Sequence, residues 1–394
     1  MSDLTNTNES VNLMEFTRFT QHTPAGDHPE PRSGHRVFLD QDYLYIIGGV
    51  KRAPVAHIFK EVISINLFTK KWRRMNLQGE FPTCLASFSL VQRSPLSNQL
   101  LVFGGTGADF GNEISNSVHL LTIDGKKNIC YSTKLPVFGN KIPTYGHAMV
   151  RSQTKKDTFY VIGGTTGRDF FFDVDELSVK NGVWTWTKLH EWTGEGGRYR
   201  LEAVAYGNRI FCFGGGTPSE VKEFDMLLVF DLEKNAYVSL QTYPDEEQLA
   251  LGQSGYPSRR RCHSATQWGH YAVIAGGCSE EIRTNDSGMV DLYSCVWLFD
   301  LNTLRWKKHK FDLPRALFFH DAATTQDGHL IVWGGVVDKL ATLRTNECFA
   351  LWLQPPPLYF LAASTMSHHP KVAAAKDELR SNDPVKIYLW IMPG

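Results

Sequence analysis

Tyr45-Ile46-Ile47-Gly48-Gly49 is a run of strand-forming residues that stops on a glycine doublet. The run returns as Leu101-Val102-Phe103-Gly104-Gly105, Tyr160-Val161-Ile162-Gly163-Gly164 and Phe211-Cys212-Phe213-Gly214-Gly215. It returns again as Val273-Ile274-Ala275-Gly276-Gly277 and Ile331-Val332-Trp333-Gly334-Gly335. Short apolar runs of this length are strands buried on both faces. Two successive glycines allow a turn at positive φ and leave no side chain where another backbone packs close. The first glycines, at 48, 104, 163, 214, 276 and 334, lie 51 to 62 residues apart. A repeat near 50 residues marks an array of small supersecondary units that bury their faces on one another.

The surroundings of the doublet repeat as well. About ten to sixteen residues earlier, a polar cluster opens another strand: Arg32-Ser33-Gly34-His35, Tyr145-Gly146-His147 and Arg261-Cys262-His263-Ser264. A third strand follows each doublet, as at 227–232 and 296–301, and an aromatic residue opens a fourth: Trp72, Trp186, Tyr237, Trp306. The second unit lacks that tryptophan, and Tyr131 or Ile129 takes its place. The fifth carries a long loop over 280–291. Four strands per unit, a glycine doublet after the second and an aromatic in the fourth resemble the kelch repeat. The resemblance implies an all-β fold, a six-bladed kelch β-propeller.

The two ends of the repeat region predict how the ring closes. After the last doublet comes one further strand, 348–353, and then Pro355-Pro356-Pro357, which does not serve in a sheet interior. The sixth unit therefore lacks its own fourth strand. Residues 16–20 are expected to supply it, which removes the open edge a ring would otherwise have. The organisation read from the chain is a disordered segment 1–14, a propeller 15–354, a short helical extension 355–372 and a variable tail 373–394.

Composition narrows the function. The formal net charge is zero, which argues against nucleic acid or an anionic membrane as the main partner. Seven scattered cysteines without a CxxC pair are read as reduced thiols, and the polar first fifteen residues as no signal peptide. The expected setting is the cytoplasm, with the nucleus as a second compartment. His35, His147, His263 and His320 recur at one position of the repeat, so they are read as structural groups bonding to backbone. The segments Gly104-Gly105-Thr106-Gly107 and Gly163-Gly164-Thr165-Thr166-Gly167 lack the phosphate-loop pattern and are read as turns. No nucleophile, base and orienter assemble from the sequence, so the chain reads as non-catalytic, with no cofactor and no metal.

The arginines carry the chemistry. Counting back sixteen or fourteen residues from the first glycine of a doublet lands on Arg32, Arg198, Arg200 and Arg260. In a propeller these lead-in residues are expected at the mouth of the central channel, with Tyr145 and Phe319 as apolar walls. Guanidiniums that converge repel one another unless an anion joins them, and a carboxylate matches their planar fork. The other reading, that each arginine pairs with an acid such as Glu202 or Asp225 and ties blades together, stays open.

Beyond the prolines, Leu358, Ala362 and Met366 are four apart and share one helical face. Arg32-Ser33-Gly34-His35-Arg36, Leu100-Leu101-Val102-Phe103-Gly104-Gly105-Thr106-Gly107, Arg198-Tyr199-Arg200, Phe213-Gly214-Gly215-Gly216-Thr217 and Arg260-Arg261-Cys262-His263-Ser264 together resemble kelch-repeat substrate receptors of Elongin B/C and cullin-based ubiquitin ligases. The resemblance implies a BC-box at Leu358, Ala362 and Met366 for Elongin B/C, a cullin partner, and capture of substrates whose C-termini end in glycine. The alternative is a kelch interaction scaffold without ligase coupling. The tail ends in Pro393-Gly394, the type of ending such a pocket accepts, so self-association through the tail is a further expectation.

Overall fold

Each glycine doublet follows or ends the second strand of an antiparallel sheet in the computed structural model, which describes residues 17–18, 28–40, 43–52, 55–67, 70–284, 287–358 and 360–361. Blade 1 pairs Arg36–Asp40, Tyr43–Ile47, Val62–Asn66 and Trp72–Arg74 in chain order. Blade 2 repeats this with Ser89–Gln92, Gln99–Phe103, Val118–Asp124 and Ile129–Lys134, and blade 3 with Ala148–Arg151, Thr158–Thr165, Phe170–Lys180 and Val183–His190. Blade 4 is Glu202–Tyr206, Arg209–Phe213, Met226–Asp231 and Ala236–Gln241. Blade 5 is Ser264–Trp268, Tyr271–Ala275, Val296–Asp300 and Arg305–Lys308. Asn76–Gly79 and Val137–Phe138 add a parallel outer strand to blades 2 and 3, stitching each to the blade before it.

Blade 6 holds Asp321–Thr324, His329–Trp333 and Cys348–Trp352, and its outer strand is the N-terminal Thr17–Arg18, paired antiparallel with Ala350 and Phe349. The closure expected from the missing fourth strand is therefore present. The first strand of every blade touches the first strand of the next, and Arg36–Asp40 touches Asp321–Thr324, so six inner strands complete a ring.

The core is divided among the six seams between blades rather than gathered in one centre. Leu44, Ile46, Ile63 and Trp72 of blade 1 pack on Ile331, Trp333 and Cys348 of blade 6, and five further clusters fill the other seams. Fourth-strand aromatics span a seam: Trp306 of blade 5 is 1% exposed and donates its indole N–H to the Phe224 carbonyl of blade 4 at 3.1 Å. In blade 2 the buried member at this position is Cys130, opposite Ile123, while Tyr131 is 39% exposed. The strand presents alternate faces, so the small thiol and not Tyr131 or Ile129 points into the seam. The 280–291 loop of blade 5 is instead part of a two-stranded hairpin, Cys278–Thr284 with Ser287–Leu292.

The doublets explain themselves at these seams. The second glycine donates its N–H to the next blade: Gly49 to Leu85, Gly105 to Thr144, Gly164 to Arg198, Gly215 to Arg260, Gly277 to Leu317 and Gly335 to Arg32, all at 2.7–3.0 Å. The first glycine makes room for the next blade's lead-in side chain. At Gly104, with φ +68°, a Cβ would sit 2.5 Å from the Thr144 carbonyl and 2.7 Å from the His147 ring. Gly104→Ala is expected to lower stability by more than about 2 kcal/mol, since it combines left-handed strain with a backbone clash. The midpoint of urea unfolding measures it; an unchanged midpoint would show that the seam relaxes.

After Pro357 a helix begins, with Leu358, Phe360 and Leu361 in its first turn. Phe360 docks on blade 6, its ring 4.7 Å from Trp352 and 5.3 Å from His329, while Leu358 is 84% exposed. Ala362, Met366, Pro393 and Gly394 lie outside the described residues, as does the segment 1–14. Among the described residues no helix is long and apolar enough to cross a membrane.

Candidate functional site

The six lead-in loops converge where the inner strands begin, and each places one residue in the left-handed region. These are Gly34, Ser87, Gly146, Arg200, Cys262 and Phe319, with φ between 52° and 66°. Each donates its backbone N–H to the carbonyl of the one before it. Ser87 binds Gly34, Gly146 binds Ser87, Arg200 binds Gly146, Cys262 binds Arg200, Phe319 binds Cys262 and Gly34 binds Phe319, at 2.6–3.1 Å. The result is a closed ring of six backbone hydrogen bonds around the channel mouth. Glycine takes this conformation freely; serine, arginine, cysteine and phenylalanine each bear strain of about 1–2 kcal/mol there. The ring restrains them, because releasing one residue breaks two hydrogen bonds.

This ring separates the sequence candidates. The residue two positions before each ring member gives its carbonyl to the previous blade's glycine, and its side chain turns into the seam. Arg32 is fully buried: it binds the Gly48 carbonyl at 3.1 Å and Glu61 at 2.5 Å, and stacks 3.6 Å from the Phe59 ring centre. Arg74 shares Glu61. Arg260 repeats the pose in blade 5, binding the Gly276 carbonyl at 2.8 Å and Cys295 Sγ at 3.3 Å, with Tyr293 beneath it. Arg198 is buried over Phe172 of blade 3. The expectation that Arg32, Arg198 and Arg260 line the mouth is therefore corrected: the sixteen-residue offset reaches the seam, and the fourteen-residue offset reaches the mouth.

Arg200 is the sequence candidate that stands at the mouth, and Tyr145 and Phe319 stand with it. Its guanidinium carbon lies 4.3 Å from the Phe319 ring centre and 4.7 Å from that of Tyr199. Its Nε–H is buried without a hydrogen-bond partner, and among the described residues no carboxylate pairs with it. Tyr145 sits beside it, its phenol held above the ordinary tyrosine range by burial, with Arg200 opposing. Arg261 follows on the same side, donating to the Thr217 carbonyl at 3.3 Å. Across the ring, Arg344 donates to Ser33 Oγ at 3.1 Å. Burial and the Arg52 guanidinium both lower its affinity for a proton. The mouth thus carries several cations with few counter-charges.

Below the ring the channel is plugged. Arg36 of blade 1 reaches Glu202 of blade 4 at 2.9 Å and Asp321 of blade 6 at 3.3 Å, and its Nε donates to the Phe88 carbonyl of blade 2 at 2.9 Å. One guanidinium faces two carboxylates. Burial first, with the Asp321 charge adding to it, pushes Glu202 up to about 7 despite the opposing pull of Arg36. Between plug and ring lies a cavity of about 40 Å³ lined by Gly34, Gly146, Arg200, Glu202, Cys262 and Phe319, among others.

The recurrent histidines are seam groups. His35 Nε2 meets the Trp333 carbonyl at 3.1 Å, whereas His147 and His320 meet the hydroxyls of Ser89 and Ser264 at 2.9 and 3.0 Å. Neither ring nitrogen of His263 has a partner among the described residues. Backbone bonding therefore holds for His35, and at His147 and His320 a serine hydroxyl joins the backbone of Phe103 and Ala275 as partner. Burial lowers all four imidazoles below their ordinary range, so they are neutral. Sequence reading does not reach Arg36 or Arg344. Arg36 carried a signal, since it opens an inner strand immediately after a seam histidine, where the chain alternates back toward the channel.

Residues 93–249 match the family model described as KLHDC2/KLHL20/DRC7 Kelch-repeats domain. Over 366 residues the chain is 33% identical to kelch domain-containing protein 10 of Rattus norvegicus, spanning 88% of this chain and 83% of that protein. Against kelch domain-containing protein 10 of Homo sapiens the identity is 33% over 351 residues, spanning 86% and 74%. The solved structure described as "Structure of YjhT" superposes with a TM-score of 0.58 at 15% identity, covering 83% of this chain and 96% of that one, a likeness of fold.

Proposed function

The chain belongs to the kelch domain-containing protein 10 family, and from that membership we propose that it is a non-catalytic substrate receptor that grips the C-terminal carboxylate of its partner. The observation that carries this reading is Arg200. A guanidinium clamped between two aromatic rings, with a buried unsatisfied N–H and no carboxylate partner among the described residues, lacks an anion of matching shape. A planar carboxylate fits the fork. In this reading the peptide end rests at the mouth beside Arg200, between Tyr145 and Phe319. Glycine as last residue suits that approach, having no Cβ to strike the ring.

The test compares one glycine-ended peptide as free acid and as amide by fluorescence polarisation. Amidation removes the charge and one oxygen, and is expected to weaken binding at least ~10-fold, about 1.4 kcal/mol. Equal binding of the two would end the reading.

The ligase coupling rests on the C-terminal helix. Leu358 is exposed while Phe360 of the same turn anchors to Trp352, so the leucine is free to enter a partner's groove. With Ala362 and Met366 it would form the Elongin B/C contact, and a cullin would follow. Elongin B/C is expected to co-purify with the wild-type chain and to be lost with Leu358→Asp, which touches nothing in the propeller core. Peptide binding without Elongin capture would make the protein a kelch scaffold.

A further inference from the structure

Cys262 is a member of the mouth ring, and Cys278 directly follows the fifth glycine doublet. The two meet where Arg261 and Cys278 exchange backbone hydrogen bonds of 2.9 and 3.0 Å. Both are free thiols, and they pack in one buried cluster with Val290, Phe318 and Val336. Cys130, Cys212 and Cys348 are also buried, and burial pushes each of those thiols up to about 12.

Cys262 is different. Burial opposes its ionisation, yet the Cys278 thiol, Arg200 and Arg261 together carry it below the ordinary cysteine range. Cys278 goes the other way, because it gives its proton to the Cys262 sulfur and is itself buried. The Nε–H groups of Arg200 and Arg261 are both buried without a hydrogen-bond partner among the described residues. A negative sulfur beside them is the charge the cluster lacks. Cys262 also lines the cavity of about 40 Å³, which has room for a molecule the size of water or hydrogen peroxide.

We propose that Cys262 and Cys278 form a modification site at the channel mouth that a hydroperoxide converts to a disulfide. The Cys262 thiolate attacks one peroxide oxygen; the S–O bond forms, the O–O bond breaks, and hydroxide leaves. The Cys278 sulfur then attacks the sulfenic acid, forming the S–S bond as the oxygen departs in water. Two thiols and one hydrogen peroxide give one disulfide and two waters. The two cysteines lie on bridged backbone segments and in one packed cluster, the neighbourhood a disulfide requires. The disulfide is neutral, so Arg200 loses its sulfur neighbour when it forms. The readouts of this site do not depend on peptide binding.

The experiment treats the native full-length chain with hydrogen peroxide at pH 7, followed by differential alkylation and peptide mass spectrometry. The expected result is a Cys262–Cys278 disulfide, with Cys130, Cys212 and Cys348 remaining thiols. It should form about tenfold faster than N-acetylcysteine oxidises, following the greater thiolate fraction. In Cys278→Ser, folding checked by circular dichroism, dimedone present while the peroxide-treated chain is unfolded in urea should trap a sulfenic acid on Cys262. Oxidation of Cys262 no faster than N-acetylcysteine, or a disulfide joining other cysteines instead, would overturn the proposal. So would a wild-type product in which Cys262 is oxidised and Cys278 stays a thiol.

Discussion

Replacing Arg200 by alanine is expected to weaken a glycine-ended, free-acid peptide by roughly 50-fold, about 2.3 kcal/mol, within the range of a hydrogen bond to a charged group. The same variant should leave the weak binding of the amidated peptide unchanged, because the lost contact involves only the terminal oxygens. Arg200→Lys should fall between the two. Lysine keeps a point charge but has neither the fork nor the flat face that rests on Phe319 and Tyr199. Fluorescence polarisation across the four protein–peptide pairs tests the coupling directly. Losses of equal size for acid and amide would mean that Arg200 only supports the mouth, and the proposed carboxylate contact would be withdrawn. Circular dichroism separates that outcome from unfolding.

The second large effect concerns stability. Arg36→Met leaves Glu202 and Asp321 facing each other in the channel without their cation, which is expected to cost about 3–5 kcal/mol near pH 8. Lower pH should shrink the loss, since both carboxyls are shifted upward by burial and take protons readily. The wild type has its own pH signature here. A folded-state value near 7 for Glu202 lies above the 4.5 of an unconstrained glutamate. Its contribution is therefore fully present below about pH 4.5 and is lost as pH rises through about 7. Relative to Glu202→Gln, wild-type stability should decline across that window, by up to about 3 kcal/mol. Urea unfolding at pH 5, 6, 7 and 8 measures both effects. A flat difference between wild type and Glu202→Gln would show that Arg36 already holds both carboxylates ionised at pH 5.

The fold was legible because its signal is periodic and steric. Six glycine doublets recur where six backbones must touch six neighbours, and no other residue type meets that need at Gly104 or Gly48. The ring's closure was legible too, through the three prolines that forbid a seventh use of the pattern after Trp352. The mouth was harder. Arg32 and Arg200 look alike in a list of lead-in arginines, and a two-residue offset decides which one meets solvent. That offset is set by the left-handed residue in each loop, and only Gly34 and Gly146 advertise it by composition; Ser87, Arg200, Cys262 and Phe319 do not. The plug was harder still, since Arg36 and Glu202 are far apart in the chain and meet only because blades 1 and 4 face each other across the ring. Cys130 escaped notice because a buried thiol, and not an aromatic ring, holds that place in the seam.

The pairing of Thr17–Arg18 with Cys348–Trp352 has a consequence for how the protein is made. Among the propeller strands the earliest to be translated is the one used last, and it waits unpaired while more than three hundred residues follow it. Blades 1 to 5 can assemble in order as they emerge, but the circle stays open until the final repeat is released. A nascent chain stalled before Trp333 should therefore be an arc with two raw margins, and the cell's folding helpers would meet it in that form.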